Sequence, residues 1–102
     1  MVHPRITVVH DLDLDEIDRS FIDETLLRTL TKMDRLLKNE HRLKAVYKQI
    51  QKEGLRHKTE VSLSLDGPGK AFHSQSSDWK VRLATTEACT ILEREIMRHS
   101  QQ

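Results

Sequence analysis

From Thr59 to Leu65 the chain alternates without a break, with Val61, Leu63 and Leu65 on one side and Glu60, Ser62 and Ser64 on the other. Successive side chains of a β-strand point to opposite faces, so a period of two predicts a strand with one wet side. Asp66-Gly67-Pro68-Gly69 then interrupts the chain, and Lys70 to Ser76 resumes in extended style, so the two runs read as a β-hairpin. Asp78 follows as a helix N-cap, and from Trp79 the apolar spacing changes to a helical period. A strand, a turn, a strand and a capped helix make a compact α+β unit.

Upstream, Arg5 to His10 is a short β-prone run and forms a first strand. A long helix opens in Leu12-Asp13-Leu14-Asp15-Glu16, with Asp13 or Asp15 as N-cap and acids in the first turn, where the helix dipole favours them. Ile22, Leu26, Leu30, Met33 and Leu37 recur at steps of three and four and form its apolar stripe, and the helix stops by Glu40. Arg42 to Lys52 reads as a second strand of mixed facing. Val46 and Ile50 share a side with Lys44, Lys48 and Lys52, while Leu43, Ala45 and Tyr47 share the other. Glu53-Gly54 is a turn. The last helix, Trp79 to about His99, turns Val81, Ala84, Ala88, Ile91 or Leu92, and Ile96 towards the core. The order is β-α-β-β-β-α: an α+β fold with a four-stranded sheet, both helices on one face, and the other face left to solvent or a partner. No repeat or linker divides the chain, so residues 1–102 are expected to form a single domain.

Composition narrows the function classes. With 36% hydrophobic and 32% charged residues the chain is globular rather than disordered, and its core is aliphatic, because only 4% of its residues are aromatic. No apolar run approaches the roughly 18 residues of a membrane span, and the amino-terminal MVHPRITVVHDLD lacks the charged and apolar regions of a signal peptide. Cys89 is the single cysteine, so no internal disulfide forms and a reducing cytoplasm is the expected home. It reads as a small buried hydrophobe. The six histidines, at 3, 10, 41, 57, 73 and 99, are scattered without metal-ligand spacing, although His57 and His73 lie on neighbouring strands. Asp11, Asp13 and Asp15 lack the glycine and terminal glutamate of a calcium loop. Gly67-Pro68-Gly69 is too short for a phosphate loop. Neither an enzyme, nor a cofactor, nor a small-molecule substrate is expected.

Charge is segregated along the chain. Residues 1–27 hold two basic and seven acidic side chains, net −5; residues 28–58 hold ten basic and three acidic, net +7; residues 59–102 hold five and six, net −1. A local cationic block binds polyanions even when the whole chain is near neutral. The plainer reading is a solvated surface, and a protein-interaction module using the open sheet face is the alternative from another class. Trp79, the single tryptophan, either packs over the end of the sheet or stacks on a base.

Three stretches carry a family resemblance. His57-Lys58-Thr59-Glu60-Val61-Ser62-Leu63-Ser64-Leu65, Leu30-Thr31-Lys32-Met33-Asp34-Arg35-Leu36-Leu37 and Ala88-Cys89-Thr90-Ile91-Leu92-Glu93-Arg94-Glu95-Ile96 resemble, in order, motifs of the short ribosome hibernation-promoting factors and ribosome-associated translation inhibitors. The resemblance implies the same β-α-β-β-β-α architecture, close to that of double-stranded RNA-binding domains, with no second dimerisation domain. It also implies a cytoplasmic, stress-associated inhibitor that binds small-subunit rRNA in the mRNA channel, across the A and P tRNA sites. By position, Lys32, Arg35, Lys58 and Arg94 match basic residues of the family motifs. Charge and placement add Lys48, Lys52, Arg56, Lys80, Arg82 and Arg98 as RNA contacts. Thr29 and Ile91 stand where the family carries lysines. An RNA-binding module with a non-ribosomal target remains the nearest alternative.

Overall fold

A computed structural model describes residues 3–100, the side chain of Ser100 excepted; the first two residues of the amino-terminal run and the last two of the tail lie outside it. The elements are β1 (Ile6–Val9), α1 (Glu16–Leu37), β2 (Arg42–Glu53), β3 (Arg56–Gly67), β4 (Lys70–Asp78) and α2 (Val81–Ser100). They form one four-stranded sheet in the order β1-β2-β3-β4, with β1 parallel to β2 and the other pairs antiparallel. The parallel pair needs a crossover, which α1 supplies.

Both helices cover the same face. Leu43, Ala45 and Tyr47 of β2, Val61, Leu63 and Leu65 of β3, and Phe72 of β4 are buried against Ile22, Leu26, Leu30 and Met33 of α1 and Ala84, Ala88, Leu92 and Ile96 of α2. Burying so many aliphatic side chains is the main stabilising term of a domain this size. Leu92 rather than Ile91 is the fully buried member of its pair. Cys89 is buried between the layers, and burial holds its thiol above the usual range. Two buried hydrogen bonds tie α2 to the sheet. The Tyr47 hydroxyl donates to Thr85 Oγ1 at 2.8 Å, which itself donates to the Val81 carbonyl; Ser74 Oγ donates to the Ala88 carbonyl at 2.8 Å.

The element ends are set by local chemistry. Asp15, not Asp13, caps α1: its backbone is extended and its carboxylate accepts the Asp18 N–H at 2.7 Å. The helix ends at Leu37 with Lys38 in the left-handed region (φ 58°), where its N–H reaches the Asp34 carbonyl. β1 is shorter than the expected Arg5–His10 run, because Arg5 is drawn to Asp34 and the Leu12 N–H is held by His10 Nδ1. Helix α2 starts at Val81, two residues later than the sequence pattern suggests. Asp78 stays in β4 opposite Thr59 and accepts the Lys80 N–H at 2.9 Å, and the first helical bond runs from the Ala84 N–H to the Lys80 carbonyl. An Asx turn therefore separates strand from helix.

Candidate nucleic-acid interface

The face of the sheet away from the helices is assembled by alternation. Residues paired across antiparallel strands share a face. The register therefore lines up Thr7, Lys44, Ser64 and His73 in one row, Val9, Val46, Ser62 and Gln75 in the next, and Lys48, Glu60 and Ser77 in a third. Arg42 opposes Asp66 at one end, and Lys58 opposes Gln51 at the other. The surface is hydroxyl-rich, and its cations come from β2 and β3. Ser64 Oγ and His73 Nδ1 are hydrogen-bonded at 3.2 Å.

The facing of β2 is resolved by a bulge. The pairing shifts between Gln49 and Gln51, so an extra residue enters β2 and the alternation inverts beyond it. Lys44 and Lys48 share the open face as the sequence period indicates. Lys52 does not: it opposes His57 on the other side of the hairpin, and Gln51 takes the place beside Lys58. Gln49 and His57 are hydrogen-bonded through Nε2 and Nδ1 at this end. His57 and His73 are on adjacent strands but far apart in register, since His73 opposes Ser64.

The ten basic residues singled out from the sequence are not brought into one patch. Lys48 and Lys58 lie on the open face, with Lys52 and Arg56 at the protruding β2–β3 tip. Lys80 and Arg82 stand at the start of α2. Lys32, Arg35, Arg94 and Arg98 belong to the helical layer on the opposite side of the molecule. Three of the ten are engaged by acids: Lys32 by Glu93 at 3.2 Å, Arg82 by Asp18 at 3.2 Å and Arg98 by Glu95 at 3.2 Å. Arg56 stacks over Trp79, its guanidinium carbon 4.8 Å from the ring centroid, which places Trp79 at the sheet end and gives Arg56 a cation–π partner. Among the described residues, Arg35, Lys48, Lys52, Lys58, Lys80 and Arg94 make no ion pair.

The sequence alone places Arg42 and Lys44 in the cationic block without naming them as contacts, and it does not single out Ser62, Ser64 or Gln75 as contacts. The signal for Lys44 was its shared parity with Lys48. The polar residues of β3 and β4 join the site only through strand register, which no single run of residues reveals.

A groove of about 1070 Å³ runs between the hairpin tip and the starts of both helices, with Phe21, Leu55, Arg56, Trp79 and Lys80 among its walls. Asp11 and Asp13 line it as well, so its charge is mixed and it does not favour a phosphate. Among the described residues no three His, Cys, Asp or Glu side chains converge as a metal-binding group, and no helix is long and apolar enough to cross a membrane.

No family model and no curated protein matches the sequence. Solved structures do match the fold. The N-terminal domain of Thermus thermophilus Protein Y superposes with a TM-score of 0.61 at 20% identity, covering 92% of this chain and 94% of that one. A ribosomal subunit interface protein from Coxiella burnetii gives 0.66 at 13% identity, covering 95% and 98%. At such identities the likeness establishes a shared fold, extending over nearly the whole of each chain.

Proposed function

We propose that this chain is a cytoplasmic ribosome-associated factor, a single domain that binds small-subunit rRNA in the mRNA channel and obstructs the A and P tRNA sites of idle ribosomes. The observation that carries the reading is the fold likeness, over nearly the whole of this chain, to the N-terminal domain of Protein Y and to a protein named for the ribosomal subunit interface. The sequence motifs at residues 30–37, 57–65 and 88–96 point the same way. One of the neighbours is named for the ribosomal subunit interface, and the role proposed here requires no catalysis.

The surface best suited to RNA is the open sheet face with the hairpin tip. Segment 42–67 carries six basic residues against Glu53, Glu60 and Asp66. Among the described residues the cations of this face make no ion pair, whereas Lys32, Arg82 and Arg98 of the helical side are spent on acids. Lys44, Lys48 and Lys58 are positioned for phosphates, and Ser62, Ser64 and Gln75 for phosphate or 2′-hydroxyl groups. Among the described residues the face carries no Phe, Tyr or Trp, so it suits reading of folded RNA by shape more than by base stacking.

The obstruction step is tested by tRNA occupancy. Saturating protein is expected to displace labelled tRNA from the P site of isolated small subunits and to block A-site delivery. Ribosome binding with tRNA occupancy unchanged would rule out the channel and leave another ribosomal surface.

A further inference from the structure

The sheet ends in two unequal edges. β1 has 4 residues and β4 has 9, and among the described residues no strand lies beyond β4. β4 pairs with β3 from Lys70 opposite Gly67 to Asp78 opposite Thr59 without a register shift, so it is an unbroken edge, and its sequence contains no proline. An unpaired row of N–H and C=O groups is a template for another strand, and sheets ordinarily blunt long edges with bulges, prolines or inward charges. β4 has none of the first two, and its charges stand only at its ends.

Those two charges are complementary in one arrangement. Laid antiparallel on a copy of itself about Ser74, β4 sets Lys70 against the partner's Asp78 and, by the two-fold, Asp78 against the partner's Lys70. Between them Ala71 meets Ser77, Phe72 meets Ser76 and His73 meets Gln75, so no two carboxylates or ammonium groups face each other. Both ends keep the capacity for it. The Lys70 ammonium spends one proton on His99 Nδ1 at 2.9 Å, and Asp78 accepts the Lys80 N–H through Oδ1 alone. Helix α2 packs on β4 and, less extensively, on β3.

We infer that β4 is a self-association strand, through which a second copy of this chain pairs to join two four-stranded sheets into one. The pairing sets two cationic open faces side by side. The inference does not rest on the ribosomal reading, since it follows from the edge and its charges.

Sedimentation equilibrium across micromolar to millimolar concentrations tests it, with a charge swap as the specific control. The unmodified chain should form a reversible dimer. K70E alone and D78K alone should each weaken it about tenfold, because each sets like charges together at both ends of the junction. An equimolar mixture of K70E and D78K should restore association, since both junctions then become attractive. A monomer at every concentration, or a dimer that neither variant weakens, would overturn the inference. Because Asp78 also holds the Lys80 N–H, D78K is checked for folding by circular dichroism. Amide exchange of the unmodified chain gives a second readout, with concentration-dependent protection expected in β4; protection that rises only elsewhere, or not at all, would count against the strand.

Discussion

Arg5 holds Asp34 in a fork: Nη1 donates to Oδ1 at 3.1 Å and Nη2 to Oδ2 at 2.8 Å. Nη1 also donates to the His41 carbonyl at 3.1 Å. One guanidinium thus joins the entry to β1, the last turns of α1 and the entry to β2. Both side chains are three-quarters covered, so the pair is poorly screened compared with the surface ion pairs. Replacing Asp34 by Asn should destabilise the fold by about 1–3 kcal/mol, read as a lower urea midpoint.

The same pair sets an acid limb to stability. The Arg5 hydrogen bonds hold the Asp34 carboxyl below the usual carboxylate range. Its folded value is depressed, so its contribution is full above the unfolded value of about 4 and is lost as pH falls through the folded one. The stability gap between the unmodified chain and Asp34→Asn should therefore be constant from neutral pH down to about 5, then narrow towards pH 2. A gap independent of pH would show that the fork is not what stabilises the native state.

Gly67 and His41 form a close contact of another kind. A Cβ built on Gly67 would overlap the His41 ring, which is buried and donates through Nδ1 to the Asn39 carbonyl at 2.8 Å. Gly67→Ala should cost about 1–3 kcal/mol by overpacking. In a His41→Ala background the same change should cost little. Equal costs in the two backgrounds would refute the contact.

Tyr47 is the single tyrosine, so its ionisation can be followed by absorbance. Burial pushes its phenol well above the ordinary value, despite the bond to Thr85. The sign is opposite to that of Asp34. A raised folded value means that stability is intact below an unfolded value of about 10 and declines above it. The phenolate signal should appear together with alkaline unfolding rather than before it, and Tyr47→Phe should remove this part of the alkaline decline.

Two groups of cations can be separated by charge reversal. Lys44, Lys48 and Lys58 on the open face should act together, and their simultaneous replacement by Glu should weaken RNA binding at least a hundredfold. Reversal of Arg35 and Arg94, exposed on the helical side, should change it by less than about threefold. The reverse ranking would move the interface to the helices.

Much of the fold was readable from local pattern. The alternation of Val61, Leu63 and Leu65 and the stripe from Ile22 to Leu37 identify their elements, because burial on one side imposes a period. Helix starts were less legible: Asp13, Asp15 and Asp78 are equally good caps by type, and only backbone conformation decides among them. The candidate site was partly hidden for a different reason. A single inserted residue at the β2 bulge turns Lys52 away from Lys48, and register brings Ser64 and His73 beside Lys44. Both are pairing effects between strands, invisible to a reading along one.

The central claim is tested most directly by sedimenting the purified protein with small ribosomal subunits through sucrose gradients at low and high salt. Stoichiometric comigration is expected at low salt, lost steeply as salt rises, by about 0.7–0.9 log units of affinity per log unit of salt for each phosphate contacted. Unlabelled structured RNA of unrelated sequence should compete poorly. Absence from the subunit fractions at low salt, or equal capture by unrelated RNA, would contradict the account.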